Sequence, residues 1–275
     1  MNEFEKFLLG HWTEVVPFLL VLSRTSAVVI GAPFWGGTSS PKIVRVVIAV
    51  GLSVAIYPFA PSPTVVGSAA PSLVSLLMAV GQEALIGLAI GWTAQLLFAG
   101  MRLAGQLIEL KMGIGLTQLV DPHEGGQTSL LPVLLDLLAS LVFLAINGHH
   151  LLIRALVSSY HVFPLAQESQ SAQSALASHG VADVLRFLVL SVGGLFPIAL
   201  RVSAPMLIGL LLADVVLGVM TRTAPQLNLF AVILPAQFLL GLVLLFLTIP
   251  FLVWFCVDQL SASSFQFPAL FPAGK

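Results

Sequence analysis

Apolar residues fall along this chain in long blocks that polar residues seldom interrupt. Val15 to Pro33 is broken only by Arg24, and a second block opens at Lys42 and Arg45 and closes near Tyr57-Pro58. Ser72 to Met101 carries one charge, Glu83, and Ser129 to Leu156 holds Asp136 and ends near Asn147-Gly148-His149-His150. Asp183 to Met220 follows, with Arg201 between Pro197 and Pro205, and Thr223 to Val257 has no acidic or basic side chain. A perpendicular helical span needs about 20 apolar residues. The last two blocks are longer, which predicts long, kinked or tilted helices forming a hairpin, with its turn at Arg222 to Asn228. No short alternating pattern of a membrane barrel occurs, so the predicted fold is an all-α membrane protein of about six helices. Prolines 58, 61, 63 and 71 exclude a helix interior from Pro58 to Pro71, and the Gln/Ser/Ala-rich stretch Gln167 to Gly180 reads as a polar connector. Arg102 to Gln127 differs from everything around it. It mixes Arg102, Glu109, Lys111, Asp121 and Glu124 with five glycines and apolar patches, and fits neither a helix core nor a solvated loop.

Composition sharpens the membrane assignment. The 275 residues are 58% hydrophobic and 8% charged, and the mean hydropathy is +1.04. A soluble domain carries roughly 25% charge, so a soluble enzyme and a cytosolic binding module are excluded, as is disorder. Eleven Lys+Arg against twelve Asp+Glu leave no basic excess for a nucleic-acid binder. If every segment crosses, five basic residues (Lys42, Arg45, Arg102, Lys111 and Arg222) fall on one side and four (Lys6, Arg154, Arg186 and Lys275) on the other, which leaves orientation undetermined by the positive-inside rule. The acidic-leaning start, Met1 to Lys6, lacks the positive region of a secretory signal. Cys256 has no disulfide partner and reads as a buried, inert thiol. There is no phosphate-binding loop, HExxH or GxSxG motif. Adjacent residues of a helix point about 100° apart, so His149-His150 cannot chelate one metal from one helix face. No enzyme activity, cofactor or metal is expected.

The remaining chemistry is a set of ionisable residues inside apolar helices: Arg24, Glu83, Asp136, Arg201 and Asp214. Each is costly against lipid and calls for protein, water or a partner. Glu83, Gly87 and Gly91 follow one another at four-residue spacing and share a helix face, and Gly87 to Gly91 is a GxxxG. Removing side-chain bulk lets two helices approach closely, so this face is expected to be a subunit interface, with Asp214 and Arg222 assigned to the same role. Pro225 should end the helix before it, and Asn228 should cap the next.

Several stretches taken in order resemble the FliR family of type III secretion export-gate proteins. They are Pro33, Pro41 and Arg45; Glu83-Ala-Leu-Ile-Gly87-Leu-Ala-Ile-Gly91; Ala104-Gly105 through Met112-Gly113; and Asp121-Pro122. Leu144 to His150 continues the order, and the longest stretch runs from Ala204-Pro205-Met206 through Asp214, Gly218, Arg222 and Ala224 to Asn228, then on to Pro235. The resemblance implies a subunit of the flagellar protein-export gate in the bacterial inner membrane, within the flagellar basal body. Its partners would be FliP-like and FliQ-like subunits, an FlhB-like switch protein, membrane lipids and the unfolded flagellar proteins being exported. Residues 1–180 would form a FliP-like helical half and residues 181–275 a FliQ-like hairpin. The pore would be closed by a re-entrant plug-like loop at 106–122, including Gln106, Leu107, Ile108, Glu109, Leu110, Lys111, Met112, Gly113, Ile114, Gly115 and Leu116. The chain departs from the family pattern at Glu109 and Lys111, where Gly and Gln are common, and at Gln237, where Lys is common. A small-solute or ion transporter, using the buried charges as ligands, is the alternative reading.

Overall fold

In hydrocarbon every backbone polar group must be satisfied within its own segment, so long apolar blocks fold as helices. The computed structural model describes residues 3–33, 41–60, 73–114, 129–163, 165, 179–223 and 229–261. Among them every regular element is a helix: α1 (Glu3–Gly31), α2 (Lys42–Ile56) with a short 3-10 turn at Tyr57–Phe59, α3 (Leu73–Lys111), α4 (Leu130–Ala145), α5 (Gly148–Val162), α6 (His179–Thr223) and α7 (Leu229–Ser261). α2 with its 3-10 turn, α3, and segments of α6 and α7 are long and apolar enough to cross a membrane. Prolines stand inside α1, α6 and α7.

Two sequence expectations are corrected. The block Ser129 to Leu156 is not one helix. It breaks into α4 and α5 with a bend of 69°, at Asn147, which adopts the left-handed conformation with φ 56°. Asparagine enters that region more readily than other non-glycine residues. The expected loop does not begin at Gln106 either, because α3 runs on to Lys111. Gln, Leu, Glu and Lys are all strong helix formers. The helix ends only where Gly113 takes φ 77° and its N–H reaches back to Leu110 O at 3.3 Å. Gly115 and Leu116, the remainder of 106–122 beyond residue 114, and the turn 224–228 lie outside the described residues. The expected helix end at Pro225 and cap at Asn228 therefore fall between the described α6, to Thr223, and α7, from Leu229.

Compact packing divides the chain into two units drawn from non-consecutive stretches. The first holds α1, α2, α3 to Gln95, α5 and the beginning of α6. Its core contains Val21, Val28, Ala32, Ala89, Ile90, Leu152, Leu156 and Tyr160, and Phe18 meets Tyr57 edge-on at 5.9 Å. The second unit holds α3 from Leu96, α4, most of α6 and α7. Its core is built on Met101, Ile108, Leu135, Phe143, Met206, Leu210, Leu252 and Cys256. Phe98 packs edge-on against Phe143 at 5.7 Å. Cys256 is buried with its sulfur 3.8 Å from that of Met101.

Candidate functional site

Four of the five ionisable residues in apolar helices find partners within their own unit. Arg24 on α1 is fully buried and meets Glu83 on α3, its Nε donating to Oε2 at 2.5 Å. Its Nη1 donates to Ser159 Oγ at 3.0 Å and its Nη2 to the Phe163 carbonyl at 2.9 Å, both from the α5 end. The guanidinium also lies 4.2 Å from the centre of the Tyr160 ring, in cation–π contact. Ser159 in turn donates to Leu156 O at 2.6 Å. One arginine therefore ties α1 to α3 and α5 and meets its carboxylate, hydroxyl, carbonyl and ring partners at once.

The rest of the Glu83 stripe completes the contact. A Cβ at Gly87 would collide with Arg24 O and would lie 2.8 Å from the Ala27 side chain. A Cβ at Gly91 would lie 2.8 Å from Gly31 C and Cα. The helix–helix contact read from the spacing is made, but its partner is α1 of the same chain. Within this chain, the face of Glu83, Gly87 and Gly91 is thus occupied by α1. The physical reason is the absence of bulk at Gly31, Gly87 and Gly91 combined with the opposite charge of Arg24, a match that no local pattern in α3 displays.

In the second unit, the end of α3 is clasped from two sides. On one side, the Glu109 carboxylate accepts hydrogen bonds from the backbone N–H groups of Leu130 and Leu131. Those are the first donors of α4, whose N-cap residue Ser129 makes no side-chain capping bond. A carboxylate from a neighbouring helix thus supplies the cap and complements the positive end of the helix dipole. Glu109 is 4% exposed, and its Oε2 has no hydrogen-bond partner among the described residues. On the other side, Lys111 Nζ lies 3.2 Å from Asp214 Oδ2 on α6, and Gln237 Nε2 on α7 donates to Asp214 Oδ1 at 2.5 Å. The fully buried Met112 fills the space that a side chain at Gly241 would need, and Gly113 lies against Leu234. One helical turn higher on α3, Gly105 packs on the backbone of Leu131 and Pro132, and Arg102 pairs with Asp136 at 2.9 Å.

Of the residues singled out from sequence, Glu109, Lys111, Met112 and Gly113 are thus brought together with Asp214. Ile108 is buried in the same core, whereas Gln106 and Leu110 are exposed, and Leu107 and Ile114 are half-buried. Asp214 pairs within the chain, with Lys111 and Gln237 reaching its two oxygens. Arg222 stands in the last turn of α6, and its side chain lies outside the described part. The sequence reading missed Ser159, Tyr160 and the Phe163 carbonyl as partners of Arg24. Gln237 was visible only as a departure from a resembling pattern. The His149 and His150 rings lie 4.3 Å apart, tilted by 41°.

Residues 15–263 match the pattern of bacterial export proteins, family 1. The chain belongs to this export family. The flagellar biosynthetic protein FliR of Bacillus subtilis is 31% identical, over 83% of this chain and 84% of its own length. That of Escherichia coli is 33% identical, over 86% and 85%. The surface presentation of antigens protein SpaR of Shigella sonnei is 30% identical, over 68% and 65%. The family pattern covers all seven α-helices except the first residues of α1. The Arg24–Glu83 pair and the Asp214 cluster are therefore both inside the export-protein region.

Proposed function

We propose that this protein is an integral subunit of the flagellar type III protein-export gate, and that it helps to form and close the pore through which unfolded flagellar subunits pass. The observation that carries this reading is the family match across residues 15–263. FliP-like and FliQ-like subunits and an FlhB-like switch protein are the partners it implies, with the bacterial inner membrane and the flagellar basal body as the location. In the same reading, residues 1–180 correspond to a FliP-like half and residues 181–275 to a FliQ-like hairpin. The plug stretch 106–122 begins on the end of α3. That the contacts of Glu109, Lys111, Met112 and Gly113 converge there supports a held, closed position of this stretch. The carboxylates a transporter would offer to ions, Glu83, Asp136 and Asp214, are each engaged by a cation of the same chain, which favours the gate over a solute transporter.

The test is deletion of the gene in its own bacterium, followed by complementation. Loss of flagellar subunits from the culture medium, restored by the wild-type chain, is the expected result. A detergent-extracted complex containing other small hydrophobic subunits should accompany it. Normal export in the deletion strain, or isolation of the chain alone, would overturn the reading.

A further inference from the structure

Of the five ionisable residues in apolar helices, Arg201 finds no partner among the described residues. It stands in α6, 13 residues from Leu188 and 19 from Met220 in an apolar segment of 33 residues, by subtraction of the residue numbers. At 1.5 Å per residue it lies about 20 Å from the nearer end, further than a snorkelling side chain reaches. It is exposed, as are Gly194 and Pro197 before it and Ile208, Leu212, Val215 and Val219 after it. At 3.6 residues per turn all of these project within about 40° of its direction. The opposite face of α6, with Ala199, Val202, Ser203, Met206 and Leu210, is buried. A side chain at Gly194 would meet nothing within 4 Å.

A continuous apolar stripe with one guanidinium at its centre is a poor lipid-facing surface, because the charge has no counterion there. A lipid headgroup lies beyond its reach. An isolated anion would answer the charge but leave the stripe uncovered. We propose that the Arg201 stripe of α6 is a seam between subunits, covered by a partner helix that is apolar along its length and carries one Asp or Glu facing Arg201. Gly194, without bulk, lets that helix approach closely. The inference rests on the gate reading and names the chemistry of one of its contacts.

The experiment uses the full-length chain in its native membrane. Arg201→Lys keeps the charge and should leave the yield of extracted complex within about twofold of wild type. Arg201→Gln and Arg201→Glu should reduce it by at least about tenfold while the chain still accumulates in the membrane. A photoreactive benzoylphenylalanine at Ile208 or Leu212 should couple to one subunit of the complex, at a peptide holding an Asp or Glu within a helical turn. Exchanging that carboxylate for Arg should restore the complex to the Arg201→Glu chain. Native yield with Arg201→Glu would overturn the seam. So would adducts formed only with lipid or with an exported chain. If the wild-type chain is extracted alone, the gate reading itself fails; if it is extracted in a complex that ignores Arg201, only the seam does.

Discussion

Arg24 and Glu83 form an ion pair closed to solvent on both sides, with exposures of 0% and 1%, between helices that begin 70 residues apart. Desolvating two charges is costly, and the pair is stabilised only because Ser159, Phe163 and Tyr160 complete the surroundings of the guanidinium. Four consequences of the packing around α3 can be tested directly.

Removing one partner leaves the other charge buried and uncompensated, which costs about 3–5 kcal/mol. Glu83→Ala and Arg24→Ala should each lower the steady-state level of the chain and its resistance to protease. The double replacement Arg24→Met with Glu83→Leu should be milder than either single change, since no charge remains in the core. Equal damage from the double and the single variants would show that the pair itself is not what holds α1 to α3.

Three glycines of α3 separate packing from helix propensity. Gly87→Ala and Gly91→Ala force methyl groups into the backbone of α1, and overpacking of this kind costs about 1–3 kcal/mol. Gly81→Ala meets nothing within 4 Å, and a helix gains about 1 kcal/mol from that change. Thermal unfolding in detergent should therefore fall for the first two and hold or rise for the third. A uniform response at all three positions would contradict the close α1–α3 contact.

At the end of α3 the ion pair Lys111–Asp214 is partly exposed, at 45% and 34%. Such a pair contributes at most about 1 kcal/mol. Asp214→Asn and Lys111→Ala should leave folding nearly intact. They should instead loosen the stretch that follows Lys111, seen as leakage of small ions from cells carrying the assembled complex. Deletion within 115–122 should leak more. Permeability at the wild-type level in an assembled deletion variant would remove the plug from this position.

Glu109 offers a capping test. Its replacement by Ala leaves the first N–H groups of α4 without their acceptor, a loss of about 1 kcal/mol, whereas Gln keeps an acceptor and loses only the favourable charge at the helix terminus. Amide exchange at Leu130 and Leu131 should quicken in the order wild type, Gln, Ala. Unchanged exchange in the Ala variant would mean that other acceptors satisfy this end.

The class of the fold was legible in the amino-acid sequence alone. Run length and scarcity of charge are local properties, and they placed the apolar helices. Ionisable residues inside apolar helices were equally legible, because a charge inside an apolar run stands out without any knowledge of its neighbours. Their partners were not. Arg24 and Ser159 are separated by 135 positions, and Lys111 and Asp214 by 103, and pairing over such distances is set by how helices assemble. The stripe Glu83, Gly87 and Gly91 shows the division clearly. Its spacing announced a close helix contact, yet only the tertiary structure decided that α1, with Arg24 and Gly31, occupies it. The same structure carried α3 past Gly105 to Lys111 and split Ser129–Leu156 at Asn147. In each case the local signal allowed two outcomes, and packing against a distant segment or one left-handed residue selected between them.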